Sequence, residues 1–343
     1  DRWSAALLWL GVRPGDRVAS IAPNLAAHLG QFYAVPQIGA ICGPVNVRLA
    51  PADFAYILRH SGAQVVCVAP EHVATINALR EELPGVRHFV TFGTASSGWL
   101  AYDDLIAEST PDFTPHAYAE SDVISINYTS GTTARPKGVM VTHRNTALNG
   151  LGHLVHIHLT TADRFLWVVP MFHANGWTFV WNVTAVGATH ICLPRADARH
   201  ILETIIEEGV TIFAAAPTVL IALANLPEEL RRQAPRGVRV ITAGAPPAAA
   251  TIERLEGELG WTILHVYGLT EVSPGVTICE ILPEQAGLSL EDRAVFKARQ
   301  GVEYLANAQV RVVDDQGREV PHDGTTLGEI VIRGNAVMTG YYN

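Results

Sequence analysis

The sequence predicts an α/β fold of layered, parallel-rich sheets with helices on their faces, divided into two α/β subdomains. Three observations support this prediction. Short apolar runs alternate with helical patterns through the first 120 residues and again from Val123, as in strands joined by crossover helices. The chain has 343 residues, 48% of them hydrophobic, which is enough for a large buried core. Near residue 306 the pattern changes to alternating runs between turn residues, which predicts a small antiparallel, β-barrel-like subdomain.

These patterns divide the chain into subdomain A (1–120), subdomain B (121–305) and the start of a β subdomain (306–343). Within subdomain A, Asn24 is predicted to cap a helix that ends near Gln37, and residues 93–120 are predicted to form a less regular connection. A helix is predicted to begin near Thr142. The predicted strands are Arg17–Ile21, Ala40–Val45, Gln64–Val68, Arg87–Thr91, Val123–Tyr128, Phe165–Val169, Thr211–Ala215, Val238–Thr242, Thr262–Val266, Gln309–Val313 and Glu329–Arg333. The other predicted helices are Pro51–Ser61, Glu71–Leu83, Ala198–Glu208, Pro217–Asn225 and Pro247–Leu259.

Composition restricts the class of protein. Net charge is −9 and only 17% of residues are charged, so the basic face that nucleic acid requires is not expected. The four cysteines lack Cys-x-x-Cys spacing, which favours a reduced, cytoplasmic compartment. No targeting segment is visible, and polar residues interrupt the apolar stretch from Phe165 to Leu193, so no transmembrane segment is predicted. The chain begins at Asp1 within a helical pattern and stops without a terminating feature, so we expect a fragment of a longer protein.

The most informative stretch runs from Tyr128 to Gly138 and reads Tyr-Thr-Ser-Gly-Thr-Thr-Ala-Arg-Pro-Lys-Gly. It follows a predicted strand. Glycines allow backbone to approach phosphate groups, while N–H and hydroxyl groups donate to their oxygens. Lys137 would neutralise phosphate charge, and it is one of only two lysines in the chain, the other being Lys297. The stretch therefore predicts a polyphosphate-binding loop, although not of the Walker form. The loop donors are Thr129, Ser130, Gly131, Thr132 and Thr133.

A second stretch, Tyr267-Gly268-Leu269-Thr270-Glu271, follows another predicted strand. A carboxylate beside a polyphosphate site is suited to hold Mg²⁺, which prefers one or two carboxylates together with phosphate oxygens. Glu271 is therefore the candidate magnesium ligand. The alternative interpretation is a turn at the end of a strand with a hydrated glutamate.

A third stretch, Val169 to Trp177, reads Val-Pro-Met-Phe-His-Ala-Asn-Gly-Trp. Without further context it predicts a core strand that ends in a loop, with His173 hydrogen bonded inside. His153, His156 and His158 could suggest a metal site, but their spacing does not place three imidazoles on one helix face.

Together the first two stretches, about 130 residues apart and in this order, resemble the adenylate-forming superfamily, which includes acyl-CoA synthetases, firefly luciferase and peptide-synthetase adenylation domains. Leu327 to Gly334 with Gly340-Tyr341-Tyr342 resembles a further signature of that family, so the resemblance runs almost end to end. One departure is Ala134, where the family usually has glycine; it costs some loop freedom but leaves every donor in place. The resemblance implies that the ribose-binding aspartate and a C-terminal domain with a catalytic lysine follow Asn343.

The resemblance also implies roles for individual residues. Thr129 would join Glu271 on Mg²⁺, Thr270 would contact the α-phosphate, and Tyr267 would stack on adenine. The turn from Thr242 to Pro246 resembles the family's adenine- and acyl-facing turn. The stretch around His173 would border the acyl pocket, with His173 stabilising developing charge and Trp177 gating an acyl tunnel. The implied nucleotide contacts also include Gly244, Ala245, Pro246, His265 and Gly268, and the implied acid contacts also include Ala174 and Gly268.

The implied activity is that of an acyl-CoA synthetase that uses ATP, Mg²⁺ and CoA as co-substrate, with Lys137, His173, Thr270 and Glu271 as catalytic residues. Val169–Trp177 and Phe296–Gly301 are most similar to the medium- and long-chain fatty-acid branch, and a homodimer is compatible with the family. Two alternatives stay open. One is an adenylation domain that loads a carrier protein. Such domains place an aspartate, which pairs with the amino group of the substrate, a few residues beyond the region of His173. No aspartate occurs from Phe165 to Pro194, which disfavours this alternative. The other is a non-catalytic adenylate-binding homologue, which would need a broken phosphate site, whereas Lys137, Thr270 and Glu271 are all present. As a fragment, the chain is expected to bind nucleotide weakly and to turn over poorly.

Overall fold

The computed structural model describes residues 1–129, 135–305 and 309–343. Within these residues the chain forms strands and helices arranged as two large sheets and one small sheet. The strands are β1 (Arg17–Ile21), β2 (Ile41–Pro44), β3 (Ala63–Val68), β4 (His88–Thr91), β5 (Leu100–Ala101), β6 (Val123–Thr129), β7 (Lys137–Thr142), β8 (Arg164–Trp167), β9 (Thr189–Cys192), β10 (Ile212–Ala215), β11 (Arg239–Thr242), β12 (Thr262–Gly268), β13 (Gly275–Cys279), β14 (Val302–Glu303), β15 (Gln309–Val313), β16 (Glu329–Arg333) and β17 (Gly340–Tyr342).

Helices cover the faces of the large sheets. They are α1 (Arg2–Trp9), α2 (Ala26–Gln37), α3 (Pro51–His60), α4 (Val73–Ala78), α5 (Tyr102–Glu108), α6 (His143–Ile157), α7 (Ala174–Trp177), α8 (Phe179–Ala185), α9 (Ala198–Glu207), α10 (Pro217–Ala224), α11 (Glu228–Arg231), α12 (Ala249–Arg254) and α13 (Leu290–Lys297). None of the helices in the described ranges combines the length and the apolar character needed to cross a bilayer.

The first sheet has the strand order β17-β7-β6-β2-β1-β3-β4-β5. The strands from β6 to β5 run parallel, whereas β7 and β17 add to the β6 edge in antiparallel orientation. The second sheet has the order β14-β13-β12-β11-β10-β8-β9, parallel from β9 to β12 and antiparallel at β13 and β14. An antiparallel pair, β15 and β16, forms the small sheet. The predicted fold class, parallel-rich sheets with a small antiparallel sheet, is confirmed.

The largest core lies between the two large sheets. Side chains of the first sheet such as Val18 and Val65 belong to one buried cluster with Phe165 and Trp167 of the second sheet, and with residues of α2 and α8. Separate clusters cover the outer faces of the two sheets. Because both faces of each sheet are buried, the parallel strands read as nearly continuous apolar runs, which is why their positions could be predicted.

The predicted domain boundary at residue 121 does not coincide with the edge of a sheet. β6 and β7, assigned to subdomain B, continue the sheet of subdomain A, and β17 completes its edge. The reason is that the chain crosses over after β5 and places β6 beside β2. Sequence patterns do not specify this pairing. The division of the chain into domains stays a prediction.

One local prediction is wrong. Asn24 does not cap α2, whose N-terminus has no side-chain cap. Instead its amide donates to the carbonyls of Trp167 and Val169 at 2.9 and 3.1 Å and accepts from the N–H of Met171 at 2.9 Å, so it joins the two large sheets. The less regular connection predicted at residues 93–120 contains the short strand β5 and the helix α5. The helix predicted to begin near Thr142 is confirmed as α6, and Thr142 and Asn145 form its reciprocal capping box.

Candidate functional site

The candidate site lies where strands of both large sheets end. β6 ends at Thr129, beside the start of β7 at Lys137, in the first sheet. β12 of the second sheet ends at Gly268 and leads into a short turn, Thr270–Val272, which contacts β7. Ligands of open α/β sheets bind beyond the carboxyl ends of the strands, so this junction is the expected position for a binding site.

Strand alternation places the predicted phosphate-binding side chains on one face. Thr129 is opposite Lys137 in the β6–β7 register, and Tyr341 of β17 is opposite Val139. Residues directly opposite in antiparallel strands share a face, as do residues two apart along a strand. Thr129, Lys137 and Tyr341 therefore point to the same side. We call the surface formed by these three residues and Glu271 the phosphate wall.

Tyr128 lies on the opposite face, directly over Gly138. A Cβ atom on Gly138 would come within 3.1 Å of the Tyr128 ring, so the family-like glycine after Lys137 makes room for an aromatic side chain. The Tyr128 hydroxyl is hydrogen bonded to Nδ1 of His60 at 2.8 Å. Burial raises the pKa of Tyr128 above its usual value, so the phenol stays neutral.

Glu271 is half-buried in the short turn after β12. The hydroxyl of Tyr341 donates to its Oε1 at 3.0 Å, and the N–H of Met338 donates to its backbone carbonyl at 2.8 Å. The same hydrogen bond to the carboxylate raises the pKa of Tyr341. The described residues contain no group of three His, Cys, Asp or Glu side chains suited to a metal. One carboxylate with a neighbouring hydroxyl fits Mg²⁺ bound mainly through phosphate oxygens, as predicted for Glu271 and Thr129.

Residues 173–178, which include the short element α7, form a tight left-handed turn and not a regular right-handed helix. Ala174, Asn175, Gly176, Trp177 and Thr178 all have positive φ, between 41° and 71°. Residues other than glycine rarely adopt this conformation, and asparagine tolerates it best. Such strain persists only where the surroundings hold it, and it is concentrated at functional sites.

Buried hydrogen bonds hold this turn in place. The amide of Asn175 donates to Oγ of Ser125 on β6 at 2.7 Å. The hydroxyl of Thr178 lies 3.0 Å from Oδ1 of Asn149 on α6 and 3.1 Å from the carbonyl of Ser273. The turn is thus tied both to the strand that leads into the phosphate loop and to the segment after Glu271. We call residues 173–178, together with Gly268, the pocket wall.

A narrow pocket of about 50 Å³ lies between the pocket wall, α6 and the ends of β11 and β12. It brings together six of the residues predicted to contact nucleotide or acid, namely His173, Ala174, Trp177, Gly244, Gly268 and Thr270. Trp177 is 7% exposed and forms part of the wall. The side chain of His173 is exposed, but the surrounding protein removes enough hydration to lower its pKa. At neutral pH this imidazole is therefore mainly uncharged and can donate one hydrogen bond.

Gly268 has no room for a side chain. A Cβ atom there would lie 1.8 Å from the carbonyl oxygen of Pro274, at a register shift between β12 and β13. Gly244, by contrast, has open space around it and a φ of +89°. The turn after β11 is exposed at Gly244, Ala245 and Pro246, which leaves its backbone accessible to a ligand.

Some predicted residues do not line this pocket. Tyr267 is half-buried at the end of β12, and its predicted contact with adenine stays a prediction. His265 is 2% exposed and its Nδ1 is 2.8 Å from the carbonyl of Arg299, so it lies behind the pocket. The predicted donors Ser130, Gly131, Thr132 and Thr133 lie outside the described residues.

Sequence reasoning missed three participants. His153 lines the pocket from α6, and burial lowers its pKa to about 4. Ser125 accepts a hydrogen bond from Asn175 of the turn, and Tyr341 donates one to the predicted magnesium ligand Glu271. The only local signal was for Tyr341, which the Gly-Tyr-Tyr motif contains. His156, considered above together with His153, does not line the pocket, and its Nδ1 lies 2.9 Å from Oε2 of Glu280.

Comparison with known proteins gives consistent matches. The chain matches the family described as AMP-binding enzyme over residues 1–342. It is 34% identical to a peroxisomal trans-cinnamate:CoA ligase from Petunia hybrida, with 99% of this chain and 64% of the relative covered. It is 36% identical to a peroxisomal acetate/butyrate–CoA ligase from Arabidopsis thaliana, with 99% of this chain and 63% of the relative covered.

Among solved structures, the chain resembles an anthranilate CoA ligase in complex with anthranoyl-AMP. The TM-score is 0.88 at 26% identity, with 99% of this chain and 64% of that chain covered. The chain therefore spans slightly less than two thirds of the length of these three proteins.

Proposed function

This chain belongs to the AMP-binding enzyme family, and from that premise we propose that the protein activates a carboxylic acid with ATP and transfers the acyl group to CoA. The observation that supports this most is the convergence of His173, Gly244, Gly268 and Thr270 around one pocket, next to the phosphate wall. A carboxylate in that pocket would lie close to residues suited to bind a polyphosphate. That juxtaposition is what formation of an acyl adenylate requires.

The first step joins a carboxylate oxygen to the α-phosphorus of ATP and breaks the bond to pyrophosphate. The protein has little covalent chemistry to perform, so positioning and charge neutralisation dominate. Lys137 would neutralise the phosphates that leave, and Thr270 would donate to the α-phosphate. His173, mainly uncharged, would donate a hydrogen bond to the reacting oxygens. In the second step the CoA thiol attacks the acyl carbon and AMP leaves.

Mg²⁺ fits the proposal through Glu271 and Thr129. When bound, it would supply charge neutralisation at the phosphate oxygens. Glu271 contributes one oriented carboxylate, since its Oε1 accepts a hydrogen bond from the hydroxyl of Tyr341. Thr129 contributes a hydroxyl from the same face as Lys137.

Two acid classes are in competition. The resemblance of Val169–Trp177 favours a medium- or long-chain fatty acid. The size of the pocket, about 50 Å³ with Trp177 in its wall, supports a compact acid unless the indole moves. The names of the two relatives contain cinnamate, acetate and butyrate, none of them a long-chain acid. We propose a compact acid as the preferred substrate and keep the longer acids as the alternative.

The decisive experiment is carboxylate-dependent ATP–pyrophosphate exchange with the protein that contains this chain. The panel runs from acetate to long-chain fatty acids and includes an aromatic acid and amino acids. Exchange that depends on one class of acid and is lost in Lys137→Ala and Glu271→Ala supports the proposal. A separate assay for CoA thioester formation distinguishes CoA from a carrier-protein acceptor.

The role of Trp177 is tested on the same panel. Trp177→Ala should move the preference towards longer acids, because it removes the largest side chain in the wall. If wild type already prefers long acids, the compact-acid proposal is wrong. If no acid supports exchange although ATP binds, the non-catalytic alternative is favoured.

The compartment and the oligomeric state stay predictions. The cytoplasmic prediction competes with the peroxisome, which the names of both plant relatives contain. Light scattering on the purified protein would decide whether it forms a homodimer.

A further inference from the structure

Tyr341 contacts both charged side chains of the phosphate wall. Its hydroxyl donates to Oε1 of Glu271 at 3.0 Å. The ammonium group of Lys137 lies 4.9 Å from the centre of its ring, within the range of a cation–π contact. The function proposed above uses Tyr341 only as a hydrogen-bond donor to Glu271 and assigns no role to its contact with Lys137.

The position of this tyrosine is fixed by its strand. β17 pairs with β7, so that Tyr341 is opposite Val139 on the face that carries Lys137. Tyr342, the next residue, points to the other face and packs against His60 with 6.0 Å between ring centres. The two tyrosines are thus chemically alike but lie on opposite faces of one strand.

The segment before β17 is anchored at several points. The amide of Asn145 donates to the carbonyls of Asn335 and Val337 at 2.6 and 3.1 Å. Ala336 is fully buried, and the N–H of Met338 donates to the backbone carbonyl of Glu271 at 2.8 Å. These contacts hold β17 against the Glu271 turn, whereas the Tyr341 side chain itself stays 43% exposed.

Lys137 and Glu271 have opposite charges and share one small surface. No ion pair joins them in the part of the chain that the structure describes. A direct pair would occupy the two groups that phosphate and Mg²⁺ require. Tyr341 instead contacts each group separately: its ring faces the ammonium group of Lys137, and its hydroxyl donates a hydrogen bond to the carboxylate of Glu271.

We propose that Tyr341 is a positioning residue of the nucleotide site, which holds Lys137 and Glu271 apart and orients the Glu271 carboxylate for Mg²⁺. This inference rests on the proposed function, since it concerns binding of Mg²⁺ and ATP at the same wall. It predicts separable effects for the hydroxyl and for the ring.

The test uses the complete protein that contains this chain. Calorimetry measures its ATP binding over a range of Mg²⁺ concentrations and in EDTA. Tyr341→Phe removes only the hydrogen bond to Glu271. It should raise the Mg²⁺ concentration needed for half-maximal ATP binding by about three- to tenfold, the size expected for one partly exposed hydrogen bond to a charged group. Binding in EDTA should change less than about twofold. Tyr342→Phe is the matched control and should behave as wild type.

Tyr341→Leu removes the ring as well. Lys137 is then free to pair with Glu271, so ATP binding in EDTA should also weaken, by about three- to tenfold. Adding Glu271→Gln to this variant removes the competing charge and should restore binding in EDTA. A purely structural role would not produce this restoration.

Two outcomes would overturn the inference. One is a Mg²⁺ requirement of Tyr341→Phe that equals or falls below that of wild type. The other is failure of Glu271→Gln to restore binding in the Tyr341→Leu background. If wild type shows no Mg²⁺-dependent ATP binding, the proposed function fails and this inference with it. If wild type binds but Tyr341→Phe is unchanged, only the inference fails.

Discussion

The phosphate wall and the pocket wall solve the problem of holding reactive side chains in different ways. The phosphate wall uses regular strands and leaves its charged groups at the surface, as Lys137 is exposed and Glu271 is half-buried. The pocket wall uses a left-handed turn in which residues 174–178 are buried, and the side chains of Asn175 and Thr178 hydrogen bond to distant segments. Changes in the phosphate wall should therefore affect chemistry without stability, whereas changes in the pocket wall should affect both.

The largest effect is expected for Lys137→Ala. Removing the cation should lower ATP–pyrophosphate exchange by more than about a hundredfold, the loss typical of one removed electrostatic contact to the transition state. The melting temperature should stay within about 2 °C, because the side chain is exposed. The other lysine gives the control, since Lys297 is 5% exposed and pairs with Glu256.

Lys297→Ala should lower the free energy of unfolding by about 3 kcal/mol, because the buried Glu256 carboxylate loses its close cation and keeps only Arg293, 4.0 Å away. A large loss of stability in Lys137→Ala would contradict the distinction between the two walls.

The next effect concerns Gly268 of the pocket wall. Gly268→Ala would place a Cβ atom against the backbone of Pro274, which cannot give way as a flexible side chain could. We expect a loss of about 3 kcal/mol in the free energy of unfolding together with loss of exchange. Gly85→Ala is the control, since nothing lies within 4 Å of its added Cβ. Chemical denaturation measures the stability of both variants. An unchanged denaturation midpoint for Gly268→Ala would be inconsistent with the close contact between Gly268 and the backbone of Pro274.

A smaller effect is expected for Ser125→Ala. The fully buried Oγ of Ser125 accepts from the amides of Asn127 and Asn175 at 3.0 and 2.7 Å. The Oδ1 atoms of both amides have no partner in the described structure, so these are their only side-chain hydrogen bonds. Loss of the hydroxyl should cost about 2 kcal/mol. The KM for the acid should rise more than the KM for ATP, because Asn175 belongs to the pocket wall. Ser97→Ala, at an exposed position, should change neither, and equal changes in both KM values would argue against a specific role in the turn.

The most gradual effect is that of pH. Burial lowers the pKa of His153 in the pocket and of His28 in the core to about 4, from an unfolded value near 6.5. Below pH 6.5 the unfolded chain binds more protons than the folded chain, so stability is lost as the pH falls. Each histidine should remove about 2 kcal/mol between pH 7.5 and 5. Denaturation midpoints at several pH values measure this, and His153→Gln should show a shallower fall. A fall as steep as that of wild type would mean that His153 is not buried in neutral form.

The amino-acid sequence alone determined most of the regular structure and led to the prediction of a phosphate site. Parallel strands buried on both faces produce apolar runs, and β1, β15 and β16 have the predicted bounds. Thr129 and Lys137 could be predicted because they lie close together in the chain, in a stretch whose glycines and hydroxyl groups are typical of phosphate binding. Glu271 was predicted from its position after a strand and Thr270 from the family resemblance, and the roles of all four residues stay predictions.

The tertiary structure alone decided the contacts between segments far apart in the chain. Asn24 precedes a helix and has the composition of a cap, but hydrogen bonds to the second sheet determine its position. His153, Ser125 and Tyr341 reach the site through strand order and helix orientation, which no local pattern encodes. Local propensity acts over a few residues, whereas the pairing of β17 with β7 joins positions about 200 residues apart. For that reason the sequence could identify groups suited to bind phosphate, and only the fold could show which residues hold them in place.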